Sequence, residues 1–340
     1  MSHHLPPDHP QVPQQKIGVV LLNLGTPDGT DYWNVRRYLK EFLSDPRVIE
    51  TNRFLWWPIL NLGILSVRPQ KSGHAYAQIW DKERNESPLR VITREQTEKL
   101  AERLAGDGVM VEYAMRYGNP STRSVLEKMQ KAGCQRILLV PLYPQYSATT
   151  TATANDKAFE ALKTMRWQPA VRTAPAYFDD PKYIEVLGNS IRDGVAALDF
   201  EPDVVITSYH GMPVEYHQKG DPYYCQCQKT TRLLREYLGW DKDRLMVTFQ
   251  SRFGPTEWLQ PYTDKTLEEL PGKGIRKVAI LAPAFHSDCI ETLEEIAMGG
   301  KDTFLEAGGE KFAYLPCLNA TPASMDQIEA MVRRELMGWL

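Results

Sequence analysis

Short, nearly continuous apolar runs recur along the chain and constrain its fold more than any other feature. They are rich in Val, Ile and Leu, and the stretches between them place apolar residues three and four positions apart, as in the helical pattern that follows Thr30. Strands that are apolar throughout are buried on both faces, as in parallel sheets covered by helices on each side. The sequence therefore predicts an α/β fold. The predicted strands are 17–24, 109–115, 136–143, 203–209, 244–249 and 276–285.

The chain also predicts two domains of similar design. Its 340 residues suggest two domains of about 150 residues each. The segments 19–27 (VVLLNLGTP) and 204–213 (VVITSYHGMP) are similar, and each is a buried strand that ends in a turn with Gly and Pro. The segments 139–143 (LVPLY) and 281–285 (LAPAF) form a second pair. We therefore expect two α/β domains, each with a parallel sheet flanked by helices.

The expected boundaries follow from these segments. The first domain is predicted at 16–170 and is completed by a C-terminal helix at 322–340, while the second domain occupies 171–321. Residues 1–15 are rich in Pro, His and Gln and have no apolar region of the kind found in signal peptides, so they are predicted to be a disordered leader.

The similarity of the halves predicts which positions are equivalent. Leu24 would correspond to His210, and Tyr146 or Ser147 would correspond to the acidic segment around Asp288. Only the second half carries titratable groups at these positions, so the chemistry is expected there.

Composition excludes some classes of function and indicates a compartment. The net charge of -3 and the lack of a long basic run argue against nucleic-acid binding. The cysteines are odd in number and scattered, which argues against a disulfide framework and for a reducing compartment. We therefore expect a cytoplasmic enzyme of unknown oligomeric state. The cysteines are Cys134, Cys225, Cys227, Cys289 and Cys317.

The most apolar segment, 54–67 (FLWWPILNLGILSV), leaves two interpretations open. It is shorter than the about 20 residues that a membrane-spanning helix needs, and it contains a proline. One interpretation is a core helix, and the other is an exposed apolar lip that contacts a membrane or an apolar ligand. Trp56 and Trp57 are adjacent and cannot both face inward on one helix, which supports the lip. The second interpretation predicts a peripheral association with the inner membrane.

Two polar residues follow predicted strands of the second half. His210 comes directly after the strand 203–209, and Glu291 lies just beyond the strand 276–285. Ligands of open α/β sheets bind outside the carboxyl ends of the strands, so these side chains meet at one cleft if the strands are close neighbours. An imidazole and a carboxylate can bind divalent iron or zinc, and they can equally accept protons. Glu295, one helical turn after Glu291, is a candidate proton relay.

A rival metal site in the second half is weaker. His217, Cys225 and Cys227 lie close to His210 in sequence and suggest zinc. Structural zinc sites favour two to four residues between paired cysteines, and no second pair follows. Two ordinary helix residues are the preferred interpretation of these cysteines. His286 and Cys289, which flank Asp288, are likewise not expected to be ligands.

Several motifs together resemble the ferrochelatase family. In order along the chain they are LLNLGTPDG (21–29), RPQKSGHAYAQIWDKERNESPL (68–89), MRYGNPS (115–121), SYHGMP (208–213), KGDPYYCQCQKTTRLL (219–234), FQSRFGPTEWLQPYT (249–263) and AFHSDCIETLEEI (284–296). The similarity runs from about Gly18 to the C-terminal helix.

The resemblance implies a two-domain, Rossmann-type chelatase fold with a porphyrin cleft between four-stranded parallel sheets. It implies a lyase that inserts ferrous iron into protoporphyrin IX with release of two protons, the last step of haem biosynthesis. The family's metal-binding and proton-accepting histidine corresponds to His210, and its essential glutamate to Glu291. Positions that contact the porphyrin or form the cleft lip correspond to Leu24, Arg68, Lys71, Ser87, Arg116, Tyr117 and Phe285.

The chain departs from the family pattern at three points. Cys289 stands where many members have a histidine, and Phe249 stands where a tryptophan is common. Some members bind a [2Fe–2S] cluster through cysteines near the C-terminus, but no cysteine follows Cys317, so no cluster and no resident cofactor are expected. Two alternatives stay open, a non-catalytic carrier of haem or porphyrin and a chelatase for another tetrapyrrole or metal.

Overall fold

The computed structural model describes Asp8 and residues 15–340, and its first half alternates strands and helices around one sheet. The predicted leader at 1–15 lies almost entirely outside the described residues. The elements of the first half are β1 (Lys16–Thr26), α1 (Tyr32–Leu43), α2 (Arg53–Pro58), a π-helical turn (Ile59–Ile64), α3 (Leu65–Ile79), α4 (Pro88–Arg103), a 3-10 turn (Ala105–Asp107), β2 (Val109–Gly118), α5 (Thr122–Lys131), β3 (Cys134–Pro141), a second π-helical turn (Ala148–Ala152), α6 (Thr153–Leu162) and β4 (Ala170–Thr173).

The second half repeats this alternation. Its elements are α7 (Pro181–Ala196), β5 (Val204–His210), α8 (Val214–Gln218), α9 (Tyr223–Leu238), β6 (Leu245–Gln250), α10 (Thr263–Glu269), a 3-10 turn (Pro271–Lys273), β7 (Lys277–Leu281), α11 (Ile290–Thr292), a π-helix (Leu293–Gly300), α12 (Lys301–Glu306), β8 (Lys311–Tyr314) and α13 (Pro322–Glu335).

The two sheets have the same strand order. The first is β2-β1-β3-β4 and the second is β6-β5-β7-β8, with every pair of neighbours parallel. The prediction of an α/β fold with two similar halves is therefore confirmed. Because β5 pairs directly with β7, the strands that lead to His210 and Glu291 are neighbours, as their joint site requires. A π-helical segment follows β3 in one half and β7 in the other, at equivalent places.

Three details differ from the sequence-based expectations. The strands β4 and β8 were not predicted, because each is a four-residue edge strand without an unbroken apolar run. Since β4 pairs with β3, a domain boundary at 170/171 would cut through the first sheet. The helix α1 is capped by Asp31 rather than Thr30, because the Asp31 carboxylate accepts the backbone N–H groups of Trp33 and Asn34.

One apolar core joins the halves. It includes Val19 and Leu21 of β1, Val205 of β5 and Leu281 of β7, all of them buried. The helix α13 packs against α4 of the first half and α7 of the second, and its apolar side chains enter the same core. The C-terminal helix, expected to complete the first domain, therefore binds both halves together and fixes their strand ends relative to each other.

The segment 54–67 has a buried side and an exposed apolar side, since Leu60 and Leu65 enter the core while an apolar lip stays exposed. Phe54 is 90% exposed, and Trp57 and Leu62 are also largely exposed. Trp56 turns inward instead and donates its indole N–H to the carbonyl oxygen of Leu43, at 2.7 Å. The two adjacent tryptophans thus face opposite ways. Within residues 15–340, no helix is long and apolar enough to cross a membrane.

Candidate functional site

His210 is the last residue of β5, and its ring has one nitrogen with a fixed partner. Its Nδ1 lies 2.6 Å from the carbonyl oxygen of Gly211. A carbonyl oxygen can only accept a hydrogen bond, so Nδ1 carries the ring proton of the neutral imidazole and Nε2 keeps a lone pair. The side chain is half-buried, and its ring faces Phe285 edge-on with 6.4 Å between the centroids. His210 can therefore accept a proton or bind a metal ion through Nε2.

The end of β6 supports the segment that carries Glu291. Gln250 is directly paired with His210 across the β5–β6 register. Its side-chain amide donates to the backbone carbonyl oxygen of Glu291 at 2.7 Å, and its own oxygen accepts from the hydroxyl of Ser208 at 2.8 Å. The side chain of one strand-end residue thus ties the backbone at Glu291 to the sheet that ends in His210.

The Glu291 carboxylate faces the first half of the chain. It lines a narrow crevice together with Gly25, Thr26, Tyr76 and Ser87. Burial raises the pKa of Tyr76, and the negative charge of Glu291 raises it further, which places the carboxylate close to this phenol. The crevice is narrow, so a large planar ligand can enter only when side chains on its walls move apart.

Glu295 lies on the π-helix beyond Glu291 and is the most perturbed carboxyl of the site. Burial raises the pKa of Glu295 and the charge of Glu291 raises it too, whereas the Ser251 hydroxyl and the charge of His210 act to lower it. The Ser251 hydroxyl donates to Oε2 of Glu295 at 2.6 Å. Glu295 therefore lies within electrostatic reach of both His210 and Glu291, and a carboxyl with a raised pKa is suited to holding and passing on a proton.

Leu24 and Tyr117 belong to one aromatic cluster of the first half. Leu24 is half-buried near the end of β1, and it packs on the same cluster as Ile290. Tyr117 is fully buried, its ring is 5.1 Å from that of Phe42, and its hydroxyl donates to Asp45 at 2.8 Å. Leu24 can thus form an apolar wall, but Tyr117 has no exposed surface to offer a ligand in this arrangement.

The Arg116 guanidinium is bound by a buried carboxylate. Its guanidinium pairs with Asp45 and donates to the hydroxyl of Thr153 at 2.6 Å. Burial acts to raise the pKa of Asp45, but hydrogen bonds from Thr153, the Arg47 backbone N–H and Tyr117, together with the charge of Arg116, hold it below its ordinary value. Arg116 lines a polar cavity of about 530 Å³ that does not include His210 or Glu291. The structure brings Arg116 against Tyr117, with its guanidinium carbon 4.2 Å from the ring centroid, but not into the crevice that Glu291 lines.

The remaining predicted porphyrin contacts lie around the same crevice and lip. Ser87 is buried and caps α4, its hydroxyl accepting the backbone N–H of Arg90 at 3.4 Å. Phe285 is half-buried beside His210. Arg68 is exposed on α3, with its guanidinium carbon 5.8 Å from the ring centroid of Phe253 in the second half. Lys71 is exposed one turn along the same helix.

His286 is buried and has a hydrogen-bond partner on each ring nitrogen. Ser324 donates its hydroxyl to the carbonyl of Asn319, so its oxygen accepts from Nε2 of His286 at 2.9 Å. Nδ1 then accepts from the hydroxyl of Tyr177 at 3.1 Å. Burial lowers the pKa of His286 to about 4. With both nitrogens occupied, this neutral imidazole cannot bind a metal ion.

Asp288 and Cys289 are also buried in the framework. Asp288 accepts hydrogen bonds from the hydroxyls of Tyr314 at 2.6 Å and Thr292 at 3.0 Å, and from the amide of Asn319 at 2.7 Å. Burial raises the pKa of the Cys289 thiol, and the nearby charge of Glu291 raises it further, so the thiol stays protonated. These contacts fix the start of the helical segment that presents Glu291.

The rival site has no metal-binding geometry. Among residues 15–340, no group of three or more His, Cys, Asp or Glu side chains is arranged to hold a metal ion. Cys227 is fully buried and burial raises the pKa of its thiol, whereas Cys225 is exposed on the same helix. The ring of His217 packs on Tyr224 at 5.3 Å. These side chains belong to the fold around α8 and α9.

Sequence-based reasoning missed the residues that support the site. Gln250 and Ser251 were noted only as part of the motif FQSRFGPTEWLQPYT, and Tyr38 and Tyr76 were not assigned a role. The predicted strand 244–249 could have indicated these residues, because it ends beside β5 and the residues that follow it lie next to His210. The order of strands in the sheet was needed to draw that conclusion.

Comparison with known proteins identifies the family. The family profile described as Ferrochelatase matches residues 16–336. The chain is 60% identical to the ferrochelatase of Allorhizobium ampelinum over 339 residues, which cover 99% of this chain and 98% of the relative. It is 60% identical to the ferrochelatase of Rhizobium meliloti over 98% of both chains, and 58% identical to that of Agrobacterium fabrum over 99% and 98%.

Solved structures support the fold independently. SirB from Bacillus subtilis, solved with Fe3+, superposes with a TM-score of 0.55 at 13% identity, covering 94% of this chain and 95% of that one. The protein DR2241 from Deinococcus radiodurans, described as similar to chelatases, gives a TM-score of 0.53 at 12% identity over 93% of this chain and 54% of its own. Both likenesses show the arrangement of sheets and helices.

Proposed function

The chain belongs to the ferrochelatase family and inserts ferrous iron into protoporphyrin IX to give protohaem, and we propose that His210 and Glu291 carry this reaction. Porphyrin and ferrous iron are its substrates. The proposal is supported by the pairing of β5 with β7, the strands that precede these two residues, and by Glu295, whose pKa both of their charges affect.

The reaction requires acceptors for two protons. Protoporphyrin carries two pyrrole N–H groups, and the incoming Fe(II) replaces both protons with metal–nitrogen bonds. In our proposal, Nε2 of His210 accepts one proton, because Nδ1 already donates to Gly211 and Nε2 keeps its lone pair.

Glu291 and Glu295 are proposed to bind the incoming ion and to accept the second proton. Glu291 offers oxygen atoms to a divalent ion and a base for the other pyrrole proton. Glu295 then takes that proton outward, since its pKa is raised by burial and it interacts with both His210 and Glu291. Glu291 lies in α11 and Glu295 in the π-helix that follows it directly, and the charge of Glu291 acts on the Glu295 carboxyl.

The porphyrin is proposed to bind against apolar and aromatic side chains with basic residues at the rim. Leu24 and Phe285 form walls, while Ser87 lies on the crevice shared with Glu291. Arg68, exposed beside the lip, can pair with a propionate. The proposed contacts of Arg116 and Tyr117 require the ligand to displace side chains that now cover them.

The exposed lip suggests how an apolar substrate arrives. Phe54, Trp57 and Leu62 present large apolar side chains on one side of the cleft entrance. We propose that they insert into the surface of a membrane, which makes the protein peripheral to the inner membrane and lets porphyrin pass without crossing water. The five free cysteines fit a reducing, cytoplasmic location.

Iron is a substrate in this proposal, and the protein needs no resident cofactor. The described cysteines are dispersed over the fold, four of them buried, and none follows Cys317. Acid-labile sulfide and visible charge-transfer bands in purified protein would contradict the proposal that no [2Fe–2S] cluster is bound.

The function is tested by one anaerobic assay. The purified full chain is mixed with Fe(II) and protoporphyrin IX, and the loss of porphyrin fluorescence is followed over time. We expect many turnovers per protein molecule. Stoichiometric binding without turnover would instead support a porphyrin carrier. Faster metallation of another tetrapyrrole, or with another divalent metal, would support a chelatase of different specificity.

A further inference from the structure

Ser251 has an unusual backbone conformation at the edge of the site. It follows β6 directly and has φ 65°, in the left-handed region that favours glycine. An exposed asparagine, Asn85, also adopts this region, but asparagine tolerates it better than serine. A serine in this conformation costs conformational energy that a glycine would avoid, so its hydroxyl is expected to contribute something that glycine cannot.

The left-handed turn directs two consecutive side chains to the same helical segment. In an extended strand, residues 250 and 251 would point to opposite faces of the sheet. Here the Gln250 amide reaches the carbonyl oxygen of Glu291 at 2.7 Å, and the Ser251 hydroxyl reaches Oε2 of Glu295 at 2.6 Å. The end of β6 therefore contacts α11 at Glu291 and the following π-helix at Glu295, the two carboxylate residues of the proposed reaction.

The hydroxyl fixes one of the two carboxyl oxygens of Glu295. A glutamate side chain has three rotatable bonds, and a carboxylate without a fixed partner would sample several orientations. With Oε2 bound to Ser251, Oε1 is left as the acceptor for an arriving proton. The charges of His210 and Glu291 act on this same carboxyl, so its orientation governs how well it communicates with them.

We propose that Ser251 is a positioning residue, which holds the Glu295 carboxyl by its hydroxyl so that this group accepts the proton leaving Glu291. The inference rests on the proposed function of Glu295 as a relay. It assigns no contact between Ser251 and either substrate. The strained serine is retained because the hydrogen bond to Glu295 speeds proton removal.

The informative variant is Ser251→Gly, since glycine adopts the observed backbone without strain and lacks the hydroxymethyl group that contacts Glu295. We expect its melting temperature to equal or exceed that of the wild type. In the anaerobic assay with Fe(II) and protoporphyrin IX, kcat should fall by about tenfold while KM for the porphyrin changes less than about twofold. A role in folding alone would lower the melting temperature and leave kcat per folded molecule unchanged.

A double-mutant comparison shows whether Ser251 acts through Glu295. Glu295→Gln and Ser251→Gly/Glu295→Gln should have the same kcat, because the hydroxyl then has no relay to position. Asn85→Gly, which places glycine at the exposed left-handed position, serves as the control and should keep wild-type kcat.

Two outcomes would overturn the inference. One is a kcat of Ser251→Gly within about twofold of the wild type, and the other is an equal loss from Ser251→Gly in the wild-type and Glu295→Gln backgrounds. A wild type without any turnover would instead refute the proposed function. Turnover by the wild type together with an unchanged kcat of Ser251→Gly would refute the role of Ser251 but not the proposed function.

Discussion

The ring proton of His210 is held on Nδ1 by the carbonyl oxygen of Gly211, 2.6 Å away. The tautomer is therefore set by the backbone turn that ends β5, and the turn itself is tight, because a Cβ at position 211 would lie 2.5 Å from the carbonyl oxygen of Gln250. Any side chain at position 211 would therefore force a shift of this turn, which carries the carbonyl that fixes the tautomer.

Replacement of His210 by alanine should abolish turnover. The variant loses the lone pair on Nε2 that accepts a pyrrole proton or binds iron, and general-base catalysis contributes about 100-fold or more to rates. The measurement is the anaerobic loss of porphyrin fluorescence. His217→Ala, which removes a half-buried imidazole packed on Tyr224, is the matched control and should keep wild-type activity. Equal activity of His210→Ala and His217→Ala would refute the assignment.

Glu291→Gln should lower kcat severely with little effect on stability. The amide is nearly isosteric but can neither accept a proton at neutral pH nor balance the charge of a divalent ion, so a loss of about 100-fold is expected. The hydrogen bond from the Gln250 side-chain amide to the backbone carbonyl of residue 291 is retained in the variant. Glu294→Gln changes a carboxylate three residues further along the chain and should leave kcat near the wild-type value. A larger loss of kcat in Glu294→Gln than in Glu291→Gln would mean that the reactive carboxylate has been assigned to the wrong face of the helix.

The buried His286 should make stability depend on pH. Its pKa is about 4 in the folded protein and about 6.5 in an unfolded chain, so below pH 6.5 the unfolded state binds a proton that the folded state does not. The free energy of unfolding should therefore fall by about 3 kcal/mol on this account between pH 7 and pH 4. Urea unfolding of the wild type and His286→Gln at several pH values measures the difference. An identical pH dependence of the two proteins would contradict the prediction.

The lip should determine membrane binding. Replacing Phe54, Trp57 and Leu62 together by serine removes three largely exposed apolar side chains, and should greatly reduce co-sedimentation with vesicles of phosphatidylcholine and phosphatidylglycerol. Trp167→Ser removes an exposed tryptophan away from the lip and should bind vesicles like the wild type. Unchanged co-sedimentation of the triple variant would show that the lip does not contact lipid.

The paired cysteines of α9 should be dispensable for activity. Cys225 is exposed and Cys227 is buried in the apolar cluster around Tyr209, so neither reaches the proposed site. Cys225→Ser should match the wild type in activity and stability. Cys227→Ser should keep kcat but unfold at lower urea, because a hydroxyl then replaces a buried thiol. Loss of turnover in a folded Cys225→Ser protein would mean that the rejected site matters.

The sequence predicts the parts of the fold that bury continuous apolar strands. The runs that became β1, β3, β5 and β7 are apolar because helices cover both faces of these strands. The strands β4 and β8 are half-exposed edges whose pairing comes from tertiary contact, so their short mixed sequences contain no comparable signal. Their positions follow only from the sheets that they complete.

Some residues of the site could likewise be predicted from the sequence, and others could not. His210 and Glu291 were predictable because they follow recognisable strands, and β5 does pair with β7. Ser251 was not predictable, since its contact with Glu295 depends on a left-handed φ that the sequence does not encode at a serine. The pairing of Arg116 with Asp45 was also hidden, because the two residues are brought together by the packing of α1 against the end of β2.

The repeated strand order has a consequence for any flat molecule held between the halves. Leu24 lies near the end of β1 and His210 ends β5, and these two strands hold the same place in the strand orders of the two sheets. Under the proposed assignment, one surface of the macrocycle meets hydrocarbon and the other meets imidazole. The two faces of the ring would then be chemically different before any metal arrives. Under the same assignment, protons leave from one face only, although the two halves share one strand order.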